Sequence, residues 1–250
     1  MVVHPKLAAH RAAWTQKPAL RLIYRDFHRR LLEACPDGPL LEIGGGSGHL
    51  KESAGDLALC SIDILASPWI DAVADAHRLP FPDRAFAGIV LLDVLHHLPE
   101  PARFFDEAAR LLRPGGRLAL IEPGITPLSG PVYRLLHEEP VDMAADPLAA
   151  AGAGPLSSAD PFDSNQAIPT LLFTRPDRVG AFHARFPELR LVRAAWLSLF
   201  AYPLSGGFKP WSLIPAALAA PLLRLEQRLL PTLGRTMAFR LLVVLERTTS

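Results

Sequence analysis

The segment Leu41-Glu42-Ile43-Gly44-Gly45-Gly46-Ser47-Gly48 constrains this chain more than any other. Leu40, Leu41 and Ile43 form a short apolar run ending in glycines, which reads as a buried strand opening into a turn. Glycines at a strand-to-helix turn let backbone come close to a ligand at the carboxyl edge of a sheet, where open α/β sheets bind their ligands. A dinucleotide fingerprint needs a third Gly or Ala, and counting from Gly44 and Gly46 that place is His49. The fit to a nicotinamide site is therefore poor.

The surrounding pattern is α/β. Residues 18–34 space Leu22, Ile23, Phe27, Leu31 and Leu32 at helical intervals, and Pro36-Asp37-Gly38 stops that helix. A second strand is expected over 57–64 and a short third over 70–73. A buried strand over 88–93, a helix over 101–112, the breaker Pro114-Gly115-Gly116 and a strand over 117–122 follow. Strand, helix, strand in this order implies parallel pairing through right-handed crossovers, hence an open, doubly wound, mostly parallel sheet. Residues 124–175, rich in proline, read as a lid insertion, because so long a connection in a compact domain is usually a binding element. Beyond it we expect a helix over 177–186, a strand over 189–199, a loop over 203–210, a helical piece ending near Leu230 and a last strand over 237–246. The chain thus divides into an N-terminal helical segment (1–38), a core (39–123), the lid (124–175) and a C-terminal part (176–250) with an aromatic and amphipathic insertion near 203–235.

Composition narrows the partners. With 26 Lys+Arg against 25 Asp+Glu, no global field draws the chain to nucleic acid, and a small-molecule partner is expected. Cys35 and Cys60 are too few for a disulfide framework, which fits a reducing compartment. Neither a signal peptide nor a spanning segment is read, since Pro215, Pro221 and Pro231 interrupt the most apolar later stretch. A soluble, cytoplasmic protein is the expectation.

Asp63 ends the second strand 19 residues after Gly44, where a carboxylate can accept both ribose hydroxyls of an adenosine. Asp75-Ala76, Leu79-Pro80-Phe81-Pro82-Asp83, Leu91-Leu92-Asp93-Val94-Leu95-His96-His97-Leu98 and Arg113-Pro114-Gly115-Gly116 follow, before Glu122. These pieces, in this order, resemble the class I S-adenosylmethionine-dependent methyltransferases, in particular their type 11 branch, over about residues 39–123. The resemblance implies a Rossmann-like methyltransferase fold with a seven-stranded sheet and S-adenosyl-L-methionine as cofactor. It implies that Glu42, Gly44, Gly45, Gly46 and Gly48 shape the methionine side of the pocket, that Asp63 binds ribose, and that Asp75 and Ala76 lie at adenine. Residues 93–97, Asp93 first among them, would line the floor beneath the sulfonium.

Such a reaction needs little beyond alignment, since the sulfonium is already an activated donor. A hydroxyl acceptor also needs a base, and His96 and His97 are the candidates, with a scaffold role as the alternative. In the insertion, Tyr133, His137, Glu138, Glu139 and Asp142 form one polar group and Asp160, Asp163, Asn165 and Gln166 another. No metal is expected in either. Adjacent Glu138 and Glu139 cannot share a helix face, and a calcium loop from Asp163 fails at Ala167. Tyr133, His137, Asn165 and Trp211 are the candidate acceptor contacts.

The acceptor is expected to be small and apolar or lipid-like, because aromatic walls between 202 and 211 suit such a ligand better than a sugar or nucleotide. Arg224 and Arg228 share one side of a helix whose other side carries Leu222, Leu225, Leu229 and Leu230, a layout that admits peripheral membrane contact as well as packing on the protein itself. A nicotinamide-dependent oxidoreductase and a non-catalytic cofactor-binding module are the competing readings.

Overall fold

Apolar residues that alternate along the central strands fill two separate layers, one on each face of a single sheet. In the computed structural model, which describes residues 2–149 and 162–249, the sheet is built from β1 (Leu40–Ile43), β2 (Leu59–Asp63), β3 (Ala72–Val73), β4 (Phe86–Leu92), β5 (Leu112–Pro123), β6 (Leu189–Leu197) and β7 (Arg240–Arg247). Their order is β3-β2-β1-β4-β5-β7-β6. The first five strands pair in parallel, and β7 lies antiparallel between β5 and β6. The seven-stranded, mostly parallel, doubly wound sheet is thus as expected, and its last strand runs against the others of the core.

On β4, Ile89 and Leu91 face one layer and Val90 the other; on β7, Leu241, Val243 and Leu245 oppose Leu242 and Val244. This period of two is what a pleated strand imposes when both faces are covered. One layer is closed by α4 (Pro101–Leu111), α6 (Ile168–Phe173) and α7 (Pro176–Arg185), through Phe104, Phe105, Phe173, Phe182 and Phe186. The other lies under α2 (Pro18–Ala34), α8 (Ala201–Ser205) and α9 (Ala216–Met237). Helix α1 (Pro5–Gln16), α3 (His49–Ala54) and α5 (Ser129–Leu136) complete the described elements that bear on the site.

Three expectations change. Helix α9 runs to Met237 through Pro221 and Pro231 instead of ending near Leu230, because Leu222 and Leu223 pack into the layer it shares with α2. Residues 201–205 are helical where a loop from Pro203 was expected; Pro203 stands in the first turn, whose N–H groups have no intrahelical partner to lose. Strand β6 ends at Leu197, two residues early, where Ser198 takes a positive φ of 57°. Asp160, one of the expected polar group of the insertion, lies outside the described residues. Among the described residues no helix is long and apolar enough to cross a membrane.

Candidate active site

The sheet order reverses between β1 and β4, and the crevice outside the carboxyl ends of such strands is where open α/β sheets take ligands. A cavity of about 1300 Å³ opens there. At one end it is lined by Gly44, Gly45, Gly46, Asp63, Asp75 and Ala76. Gly46 holds φ at +39°, and its N–H donates to Asp63 Oδ2 at 2.9 Å. Asp63 Oδ1 accepts from the Leu65 N–H at 2.8 Å. The expected ribose ligand is therefore also the brace of the glycine loop, and each oxygen keeps a lone pair for a further donor. Burial pushes its carboxyl up, against the pull of those N–H groups.

Three expected cofactor residues also have structural parts. Gly48 is not in the cavity wall; at φ +72° it starts α3, and a Cβ there would stand 2.5 Å from Trp69 Cβ. Glu42 reaches the cavity, but its Oε2 accepts from Ser61 Oγ at 2.6 Å, and burial raises its carboxyl to about 7. Asp75 turns back on His77, accepting from its backbone N–H at 2.9 Å.

At the other end Asp93, just past β4, adopts φ +60°. Its Oδ1 pairs with Arg240 Nη2, and Tyr24 OH donates to Oδ2 at 3.4 Å. Arg240 is buried, flanked by Tyr202 with its guanidinium carbon 4.8 Å from the ring centroid. Beside it stands His96, buried, with Nδ1 2.5 Å from Glu122 Oε2 and Nε2 3.4 Å from Glu139 Oε2. Burial alone would depress this imidazole, but the two carboxylates outweigh it and lift it to about 10. His97 shows the opposite balance: burial and the neighbouring His96 hold it near 4, and its Nδ1 lies 3.1 Å from the Asp163 carbonyl oxygen.

Of the expected acceptor contacts, Tyr133, His137 and Trp211 line the cavity. Tyr133 also donates its hydroxyl to the Phe239 carbonyl at 2.7 Å. Asn165 does not reach the cavity: its Oδ1 accepts from Asp142 and Ala167 N–H groups and its Nδ2 donates to the Asp142 carbonyl. Gln166 takes its place, 2.7 Å from His137 Nδ1. Glu138 and Glu139 lie on no helix, because α5 ends at Leu136, and both border the cavity, Glu138 exposed and Glu139 half-buried. Arg240, Tyr24 and His10 line the same cavity and carried no sequence signal of a site; a charged residue opening an apolar strand was the one visible hint.

Residues 41–120 match the type 11 family model described as a methyltransferase domain. The 27-O-demethylrifamycin SV methyltransferase of Amycolatopsis mediterranei is 53% identical over 47 residues, 19% of this chain and 17% of that protein. The ubiquinone/menaquinone biosynthesis C-methyltransferase UbiE of Laribacter hongkongensis is 29% identical over 137 residues, 46% of this chain and 56% of that protein. The chain thus spans between 17% and 56% of the length of these two curated relatives. A crystal structure of a SAM-dependent methyltransferase from Archaeoglobus fulgidus superposes with a TM-score of 0.54 at 12% identity, covering 91% of this chain and 94% of that one, a likeness of fold.

Proposed function

From the membership of residues 41–120 in the type 11 branch of the class I methyltransferases, we propose that this chain transfers the methyl group of S-adenosyl-L-methionine to a small, substantially apolar acceptor. The observation that carries the reading is one continuous cavity with the glycine cradle and Asp63 at one end and a buried His–Glu wall at the other. The cradle suits the cofactor: a Cβ on Gly46 would stand 3.1 Å from Leu7 Cδ2 and 3.4 Å from Asp63 Oδ2, filling the space between loop and α1 that the ligand needs. Bound there, the cofactor supplies a methyl group already activated on a sulfonium.

The protein's part is placement. Asp63 takes the ribose hydroxyls, Asp75 and Ala76 border the adenine, and residues 93–97 floor the methyl-bearing end. Tyr202, Phe208, Trp211 and Phe239 supply apolar wall for the acceptor, in keeping with relatives whose names carry rifamycin and ubiquinone/menaquinone. For a hydroxyl or enol acceptor, His97, which burial keeps neutral, is the better of the two candidate bases, since the carboxylates of Glu122 and Glu139 hold the proton on His96.

The amphipathic face of α9 is partly occupied within the protein: half-buried Leu222 and Leu223 pack against the core layer and buried Glu226 accepts N–H bonds from Phe200 and Ala201, while Leu225 is exposed. Calorimetry with S-adenosylmethionine, S-adenosylhomocysteine and NAD tests the cofactor. A methylation screen of quinols, polyketide phenols and sugars tests the acceptor. Binding of NAD alone, or turnover of sugars only, overturns the reading.

A further inference from the structure

Two carboxylates, Glu122 and Glu139, meet at one buried imidazole, and among the described residues neither is paired with a lysine or arginine. The one imidazole supplies at most one positive charge to the two acids, of which Glu122 is buried and Glu139 half-buried, and a bound cation would balance the second. The donor atoms of His96, His97 and Glu139 lie within 4.8 Å of one another. Glu139 Oε2 stands 3.4 Å from His96 Nε2, the separation of two ligands each about 2.1 Å from one ion at a tetrahedral angle.

The outer contacts of these side chains follow the pattern of metal ligands. A ligating histidine usually gives its second ring nitrogen to a carboxylate or backbone carbonyl, which fixes the tautomer and aims the other lone pair. His96 has Nδ1 on Glu122 at 2.5 Å, and His97 has Nδ1 on the Asp163 carbonyl at 3.1 Å. Glu122 is itself held, its Oε1 accepting from Val94 and Leu95 N–H groups at 2.9 and 2.8 Å. Gln166 Nε2 donates to Glu139 Oε2 at 3.2 Å. Both histidines and Glu139 border the cavity, so the remaining coordination positions open on the acceptor.

We propose that His96, His97 and Glu139 bind one divalent transition metal, of the class represented by zinc, whose open positions receive an oxygen of the acceptor. Two nitrogens and one carboxylate suit zinc, cobalt or ferrous iron, whereas magnesium prefers an all-oxygen set. The metal clause stands apart from methyl transfer; the acceptor clause rests on it.

The test is calorimetric titration of the dialysed 250-residue chain with zinc and with magnesium, and visible absorption after loading with cobalt, all without S-adenosylmethionine. One equivalent of zinc is expected, with no magnesium uptake and a cobalt band of four- or five-coordinate intensity. His97→Ala and Glu139→Gln should each weaken zinc by at least about 100-fold, and Glu122→Gln by about 10- to 100-fold. Unchanged circular dichroism and urea unfolding midpoints show that the variants remain folded. Catechol, as an oxygen-donor probe, should shift the cobalt band. Absence of stoichiometric zinc, or zinc retained at parental affinity by both ligand variants, overturns the site; a band unmoved by catechol overturns the acceptor clause. Because the metal readouts use neither cofactor nor turnover, their failure is distinguishable from failure of the methyltransferase reading.

Discussion

Replacing Asp63 by Ala perturbs two structures at once, and their contributions can be separated. In the free protein the carboxylate accepts N–H groups from Gly46 at 2.9 Å and Leu65 at 2.8 Å. Hydrogen bonds to a charged partner contribute about 1.5–3 kcal/mol each, but both donors here are only partly buried and water replaces part of the loss, so we expect a stability loss of about 1–2 kcal/mol. With cofactor bound, two ribose hydroxyls lose the same acceptor. After the same discount the affinity for S-adenosylhomocysteine should fall by at least about tenfold, or 1.4 kcal/mol. Loosening of the glycine loop could by itself lower affinity, so the decisive assay is a cycle. Calorimetry of parent and Asp63→Ala is run with S-adenosylhomocysteine and with its 2′,3′-dideoxy analogue, which isolates the contact between side chain and hydroxyls. The parent should discriminate strongly between the two ligands and the variant weakly. Equal discrimination by both proteins refutes the ribose assignment and leaves Asp63 as a loop brace.

Gly46→Val should abolish S-adenosylhomocysteine binding, because the side chain enters the space between the loop and Leu7, while the positive φ costs about 1–2 kcal/mol of stability; a variant that unfolds less readily than the parent, or binds normally, contradicts this. Glu42 is raised by burial from about 4.5 to about 7, so the folded state holds its proton more tightly. Its contribution to stability is complete below pH 4.5 and is lost as the pH rises through 7, about 3 kcal/mol in all. Urea titrations of Glu42→Gln should lack this decline between pH 4.5 and 7.5, and parallel slopes in both proteins would disprove it. Glu226→Ala strips two backbone donors at the start of α8 of their buried acceptor and should cost about 2–4 kcal/mol by urea unfolding, with a change below about 0.5 kcal/mol as the contrary result.

The strands at the sheet centre were legible because both of their faces are covered. Parallel strands then appear as unbroken apolar runs between glycines and prolines, and the expected edges of β1, β2 and β4 fall within about two residues of those found. Helix α9 was not legible to its end, since Pro221 and Pro231 carry a local breaking signal that burial against α2 overrides. Helix α1 has only Leu7, Ala13 and Trp14 buried, too few to write a stripe in the sequence. At the site, glycines and Asp63 follow one another within a single strand-turn-helix unit, so spacing alone reports them. Arg240 and Asp93 are 147 residues apart and meet only through strand order. Asn165 and Gln166 are chemically alike in the sequence, and only the fold decides that the first closes a turn and the second faces the cavity.

On the proposed function, that distribution puts acceptor selectivity outside the matched family segment. The family match ends at residue 120, and it takes in the glycine cradle, Asp63, Asp75 and residues 93–97. Most of the acceptor end comes from elsewhere: His10 and Tyr24 from α1 and α2, His137 and Glu139 after α5, Tyr202 to Trp211 after β6, and Arg240 at the start of β7. These pieces are tied to one another. Buried Lys17, between α1 and α2, donates to the carbonyls of Gly207 and Lys209 at 2.5 and 2.8 Å, and Lys209 Nζ donates to the Leu136 carbonyl at 2.7 Å. His10 stacks on Phe208 with ring centroids 4.3 Å apart. An apolar acceptor of the kind proposed, entering past Trp211, would meet a rim in which the N-terminal helices, the aromatic segment and α5 are linked by hydrogen bonds. Substitutions in that rim are expected to act on acceptor choice together and, through α1, to reach the cofactor end as well: Asp63 and Ser61 brace that end, and Arg11 of α1 donates to the Ser47 carbonyl at 3.1 Å.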